Sequence, residues 1–241
     1  MTLQLFEEGN DGFRLPHPPL SLRSHLVVEA AICAAWELMI TRGRAGFDLQ
    51  TADEDTVTHE LYERLYDEVF DKGVVDGFDR EIFASVRREP KVRNFKGSTL
   101  DKMPDLLVEF IDRPTGAMNS QHGLFIECKP VDRQHPAGSN YCDTGLIRFV
   151  SGDYAWAMQN AMMVGYAREG YSLIPKLSEA LASNRKEPIP ISSGLTGCPS
   201  TNASAYAEQV AISKHERKFN YVENNFPAGI ILIRHLWLRR G

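Results

Sequence analysis

Three residues with the chemistry of a hydrolytic centre stand close together in the chain: Asp105, Glu127 and Lys129. Two carboxylates offer hard oxygen donors, which suit Mg²⁺ or Mn²⁺. An ammonium has no lone pair and cannot be a metal ligand. Beside a metal, however, it positions a water and stabilises charge as that charge develops. The metal is a Lewis acid and lowers the pKa of its bound water. Phosphodiester hydrolysis needs an attacking hydroxide, a neutralised phosphoryl oxygen and a stabilised leaving oxygen. The three residue types fit that reaction.

Their positions support the grouping. MPDLLVEFIDRPTGAMNSQHGLFIECKP contains a strand that begins at Pro104-Asp105, a DRPTG turn, and a second strand that ends Glu127-Cys128-Lys129. Side chains alternate along a strand, so Glu127 and Lys129 share one face while Ile126 and Cys128 share the other. Asp105 and Glu127 are equidistant from Gly116, inside the turn. Without a bulge they face each other across the hairpin. Like charges opposed in this way are destabilising unless a cation lies between them.

The surrounding elements follow from periodicity. Residues 1–20 are expected as an irregular lead, with GNDG and PHPP as breakers. SHLVVEAAICAAWELMITRG predicts a helix capped by Ser24 and ended by Gly43. A second helix is predicted from Asp53 to Lys72, with Val57, Leu61, Leu65 and Val69 as its apolar stripe. EIFASVRRE, MPDLLVEFID and HGLFIECKP predict three strands. A helix is then expected over 153–169, apolar nearly all round and therefore buried. Another follows at 172–184, then KEPIPISSGLTGCPSTN as a loop, and AEQVAISK and AGIILIRHLWL as two final strands. The expectation is a single α/β domain over 1–241, with 1–50 as a lead and helix packed on the core.

The pattern Pro104-Asp105, a spacer of about twenty residues, then Glu127-x-Lys129 on the next strand resembles the signature of the PD-(D/E)xK nuclease superfamily. The resemblance implies a restriction-endonuclease-like αβββαβ core with a mixed central sheet flanked by helices. It also implies that Asp105 and Glu127 bind metal and that Lys129 serves the water. It covers about 50–240 as architecture and 104–129 as motif. The implied partner is nucleic acid, DNA ahead of RNA, and the implied cofactor is Mg²⁺ or Mn²⁺.

Further candidates surround this motif. Nucleases of this superfamily often recruit an acid from a helix before the strands, and Glu54 lies on the inward stripe of the second helix, where it could add to the metal site. Equally, it is an acid favoured by a helix N-terminus. Glu29 shares a face with Ile32, Cys33, Trp36 and Ile40 and reads as a buried, paired structural residue. Glu60 is expected on the solvent side. Gln159 and Asn160 are the mid-helix polar residues of the expected 153–169 helix. Related nucleases place a Gln there, near the metal site or the nucleic acid, but their Gln-to-Tyr spacing of four is missing, since Tyr166 is seven residues on; Gln159 reads as a nucleic-acid contact or as a buried amide bonded to backbone. Arg148 reads as a phosphate contact or as a partner for an acidic neighbour. The segment Arg87–Lys102, which includes Lys91 and Arg93, holds six basic and two acidic residues; it reads as a backbone-tracking nucleic-acid contact or as a solvated loop. His215 reads as structural or exposed.

Composition bounds the alternatives. The chain has 241 residues, 43% of them apolar and 24% charged, with a net charge of −5. This is a globular composition, and it excludes a uniformly basic nucleic-acid binder. Charge is uneven: residues 53–81 carry 11 acidic and 3 basic side chains, net −8, which leaves the remainder at +3. The four cysteines form no CxxC pair, so neither a zinc site nor a disulfide framework is expected. MTLQLFEEGN lacks the basic and apolar regions of a secretory signal. The apolar runs read as too short or too interrupted to span a bilayer, so a cytoplasmic protein is expected. With that resemblance the sequence reads as a nuclease, for which similarity to small stand-alone members implies restriction, repair or phage defence as a setting, phage defence ahead, and a homo-oligomer or a defence-system protein as a further partner. The rival reading is a non-cutting nucleic-acid-binding or assembly subunit that retains the fold. No Gly-rich phosphate loop, nucleophile elbow or HExxH helix supports a different reaction.

Overall fold

The computed structural model describes residues 14–168, 170–183, 189–198 and 207–240. Residues 1–13 of the expected lead lie outside the described residues; the first helix among those described is α1 (Leu22–Thr41), capped by Ser21, whose side chain accepts the Ser24 N–H at 3.0 Å. The cap is thus one turn earlier than the sequence suggests, and Ser24 supplies the capped donor. By length and a mean hydropathy of 1.3, α1 is long and apolar enough to cross a membrane, contrary to expectation. Half of that stretch is buried in this fold, and Val28, Ala31, Ile32, Ala35 and Trp36 are fully covered.

The helix α2 (Glu54–Glu63) starts at the N-cap Asp53, which accepts the Thr56 N–H at 2.8 Å. It continues directly as a π-helical segment, Arg64–Phe70. The expected stripe of Val57, Leu61, Leu65 and Val69 is wholly buried. Glu60 is buried rather than solvent-facing, because Arg64 one turn on lies 2.8 Å from it and accompanies it inward.

The sheet has seven strands: β1 (Phe83–Arg88), β2 (Leu106–Phe110), β3 (Leu124–Val131), β4 (Asn160–Ala167), β5 (Ile191–Cys198), β6 (Ala207–Asn220) and β7 (Pro227–Arg239). Their order is β1-β2-β3-β4-β7-β6-β5. β3, β4 and β7 are mutually parallel, and every other pair is antiparallel. The molecule is therefore an α/β protein with a mixed open sheet. α1 and α2 cover one face with Leu106, Ile126, Cys128, Val164 and Tyr166 beneath them. The other face, with Leu107, Phe125, Val131, Met163 and Trp237, is covered by the crossover between β3 and β4 and by α4 (Leu173–Ala182).

Two expectations fail here. The run expected as a helix over 153–169 contains the strand β4, in which every residue is buried. A strand with parallel neighbours on both sides and helices over both faces reads as an unbroken apolar run, without the period that separates strand from helix. Gly165 marks the crowding, since a Cβ there would collide with the Trp237 ring. The true crossover lies earlier, as a π-helical segment, Ala137–Leu146, and the short helix α3 (Ile147–Ser151). In addition, residues 191–198 of the stretch expected as a loop form β5 at the sheet edge, while 186–188 and 199–202 of it lie outside the described residues.

Candidate active site

The hairpin register is the one that the turn implies. Leu106 faces Ile126, Leu107 faces Phe125 and Val108 faces Leu124, so the next step sets Asp105 opposite Glu127. β2 begins at Leu106, whereas β3 runs on to Val131. Beyond Glu127 the edge of β3 on that side therefore has no strand neighbour among the described residues. Asp105 fills the first vacancy with its side chain: Oδ2 accepts the Cys128 N–H at 2.6 Å.

This open edge lets residues from three other elements converge. Lys129, on the same strand face as Glu127, places Nζ 3.2 Å from Glu127 Oε1 and also donates to Glu54 Oε1 at the start of α2. From α3, Arg148 reaches Glu127 Oε1 at 3.0 Å. Tyr154, just after α3, donates its hydroxyl to Glu127 Oε2. The crossover can come this close because position 145 is glycine. A Cβ there would lie 2.8 Å from the Met163 methyl and 3.3 Å from Lys129 Cγ.

The charges do not balance. Glu127 is fully buried and Lys129 nearly so. Three carboxylates, Asp105, Glu127 and Glu54, face two cations, Lys129 and Arg148, which leaves a surplus of one negative charge. The surplus falls on Asp105: burial first and then Glu127 push its carboxyl up to about 7. Burial disfavours the Lys129 ammonium, but Glu127, Asp105 and Glu54 outweigh it and hold the group charged. Burial, reinforced by Glu127, raises the Tyr154 phenol well above its usual range, so it stays a donor.

Among the described residues no set of three or more His, Cys, Asp or Glu side chains is gathered ready to hold a metal. Glu127 is held instead by Lys129, Arg148 and Tyr154. The donor chemistry nevertheless fits a hard divalent cation. Asp105 Oδ1 accepts no hydrogen bond among the described residues, the donors are all carboxylate oxygens, and the unbalanced charge is negative.

The remaining candidates lie elsewhere. Gln159 donates its amide to the His17 carbonyl at 2.7 Å and Asn160 Oδ1 accepts the Leu20 N–H. Both tie down the N-terminal segment, and neither contacts the carboxylate cluster. Lys91 is exposed. Arg93 pairs with Glu223 at 3.2 Å and lies over the Trp156 ring. In the same segment Lys102 pairs with Asp153 at 3.1 Å, next to Tyr154. Glu29 is the buried, paired residue expected, 2.6 Å from Arg234. His215 is buried and bonds to Ser213. Tyr154 was not legible in the sequence, because the expected 153–169 helix absorbed it. The chain matches no protein-family model, no curated protein and no solved structure.

Proposed function

We propose that this protein is a Mg²⁺- or Mn²⁺-dependent nuclease of the PD-(D/E)xK type, cutting DNA in the cytoplasm as a restriction or phage-defence effector. One observation carries the reading: Asp105, Glu127 and Lys129 meet at an open strand edge with a carboxylate charge in excess. The order of elements supports it too. An antiparallel β1-β2-β3 meander is followed by a helical crossover and by β4, parallel beside β3, which accords with a restriction-endonuclease-like αβββαβ core.

In this reading Asp105 and Glu127 hold the metal, with Glu54 close behind. A bound divalent ion supplies a Lewis acid and an acidified water. The protein's own groups do the rest. Lys129, kept protonated by three carboxylates, directs the water and stabilises charge as it builds on the phosphoryl oxygens. Glu54 aims Lys129, and Tyr154 fixes the Glu127 carboxylate through its second oxygen. Arg148 is 39% exposed and, once freed from Glu127, meets a substrate phosphate.

The non-cutting rival is disfavoured by the complete trio. The test is incubation of the protein with supercoiled and linear DNA in Mg²⁺, Mn²⁺ or EDTA. Cleavage with either ion and none with EDTA is expected. Binding without cleavage in every condition gives the rival its place.

A further inference from the structure

The face of α3 that sends Arg148 to Glu127 is adjacent to one that lines a separate cavity of about 280 Å³. Its apolar walls come from α3 and from Phe95 and Phe219, whose rings stack with centroids 4.2 Å apart. β6 breaks register between Arg217 and Asn220, and this irregularity brings Lys218 and Phe219 to the cavity together, although successive strand residues ordinarily face opposite ways. Glu216 and Lys218 stand at its rim. Both side chains are exposed, and neither makes an ion pair or a hydrogen bond among the described residues. The cavity thus combines apolar walls with one acceptor group and one donor group, two residues apart and both unspent.

We propose that this cavity binds a nucleobase of an unpaired strand, with guanine preferred, so that the base is held while a neighbouring phosphate lies at Glu127. The proposal rests on the nuclease reading for its purpose, but not for its chemistry. A guanine presents two adjacent N–H donors, N1 and N2, which a carboxylate accepts as a pair, and beside them the O6 acceptor, which an ammonium meets. Glu216 and Lys218 provide that acceptor and that donor. Adenine and cytosine present one amino group next to an acceptor and cannot satisfy the carboxylate twice. Apolar and aromatic walls favour an unstacked base regardless of identity. A base inside a duplex could not enter, so the substrate is single-stranded or locally opened DNA. Ile147, Val150 and Ser151 line the cavity and Arg148 on the adjacent face of the same short helix reaches Glu127, so one strand passing α3 meets both places.

The test uses two probes on the full chain. The first is free guanosine 5′-monophosphate, compared with the adenosine and cytidine monophosphates, with binding followed by saturation-transfer NMR. The second is a labelled thymidine 12-mer bearing one guanine, adenine or abasic position, with binding followed by anisotropy in EDTA and cleavage mapped in Mg²⁺. Guanine is expected to bind about tenfold or more tightly than adenine in both formats. E216Q should abolish the preference, and S151W, from an exposed position on α3, should fill the slot and remove binding of the free nucleotide. Cleavage should fall at a fixed offset from the guanine. Equal binding of the three nucleotides, or guanine preference untouched in both E216Q and S151W, overturns the proposal. Cutting that ignores guanine overturns the slot and leaves the nuclease reading standing. Guanine-selective binding without cutting in Mg²⁺ or Mn²⁺ supports the slot and removes the nuclease reading.

Discussion

Two buried clusters of carboxylate and cation lie on opposite faces of the same sheet, and they differ in one respect. On the α1 face, Glu29 meets Arg234 in two contacts at 2.6 Å, with both side chains almost fully covered. On the crossover face, Glu54 and Glu127 pair with two cations at a strand edge that β2 does not reach, and a third carboxylate, Asp105, stands beside them with no ion pair among the described residues. A matched pair in the interior is sealed from solvent and offers no open position to a ligand. A mismatched cluster on an open edge keeps a carboxylate oxygen and a charge available. The same residue types thus serve structure in one place and offer chemistry in the other, and the difference is stoichiometry and access.

The largest expected effect breaks the matched pair. Glu29→Ala leaves the Arg234 charge without its carboxylate and should cost about 3–5 kcal/mol in urea unfolding. The same truncation at the mismatched cluster should cost less, because removing a carboxylate there improves the balance.

The two regions should also answer pH in opposite senses. His25, on α1 near Arg234, is held neutral down to about 4, by burial first and then by that guanidinium, against 6.5 in an ordinary setting. A depressed folded value gives stability that is present above pH 6.5 and lost as pH falls toward 4, by about 3 kcal/mol. His25→Gln should flatten that part of the stability curve. Asp105 has a raised folded value, so its contribution is full below pH 3.8 and is lost as pH rises through about 7. Asp105→Asn keeps an oxygen for the Cys128 N–H and removes the charge. It should raise the melting temperature at pH 8 by the equivalent of about 1–2 kcal/mol, while abolishing the stabilisation that Mg²⁺ gives the wild type.

The smallest effect concerns the basic segment. Lys91 is exposed, so Lys91→Glu should weaken DNA binding modestly and lower the slope of log affinity against log salt by about one. Arg93 is committed to Glu223 and Trp156, so Arg93→Glu should act on stability before it acts on that slope.

Much of the cluster was legible from local rules. Alternation and the position of the turn were enough to oppose Asp105 and Glu127, and the helical stripe was enough to bring Glu54 inward. Arg148 was legible as a candidate, with its two readings unresolved, and the structure joins it to Glu127. Tyr154 was not legible, because no spacing ties a residue in an irregular segment to a strand more than twenty positions earlier. β4 was lost for a related reason. Its partners on both sides and on both faces come from distant parts of the chain, and complete burial erased the period that would have revealed it. No element was expected over 137–146, because Gly, Ser and Asn interrupt any helical period there, and Gly145 lets the segment approach Lys129.

The central claim, that the mismatched cluster is a phosphodiesterase centre, is tested most directly through Lys129. Its ammonium touches Glu127 and Glu54, and Lys129→Met keeps most of the stem. Single-turnover cleavage of labelled DNA in Mg²⁺ by wild type and Lys129→Met, with binding followed in parallel by anisotropy, should show unchanged affinity and a rate lower by about a hundredfold or more. A wild type that cuts, matched by a Lys129→Met variant that cuts equally well, contradicts the account.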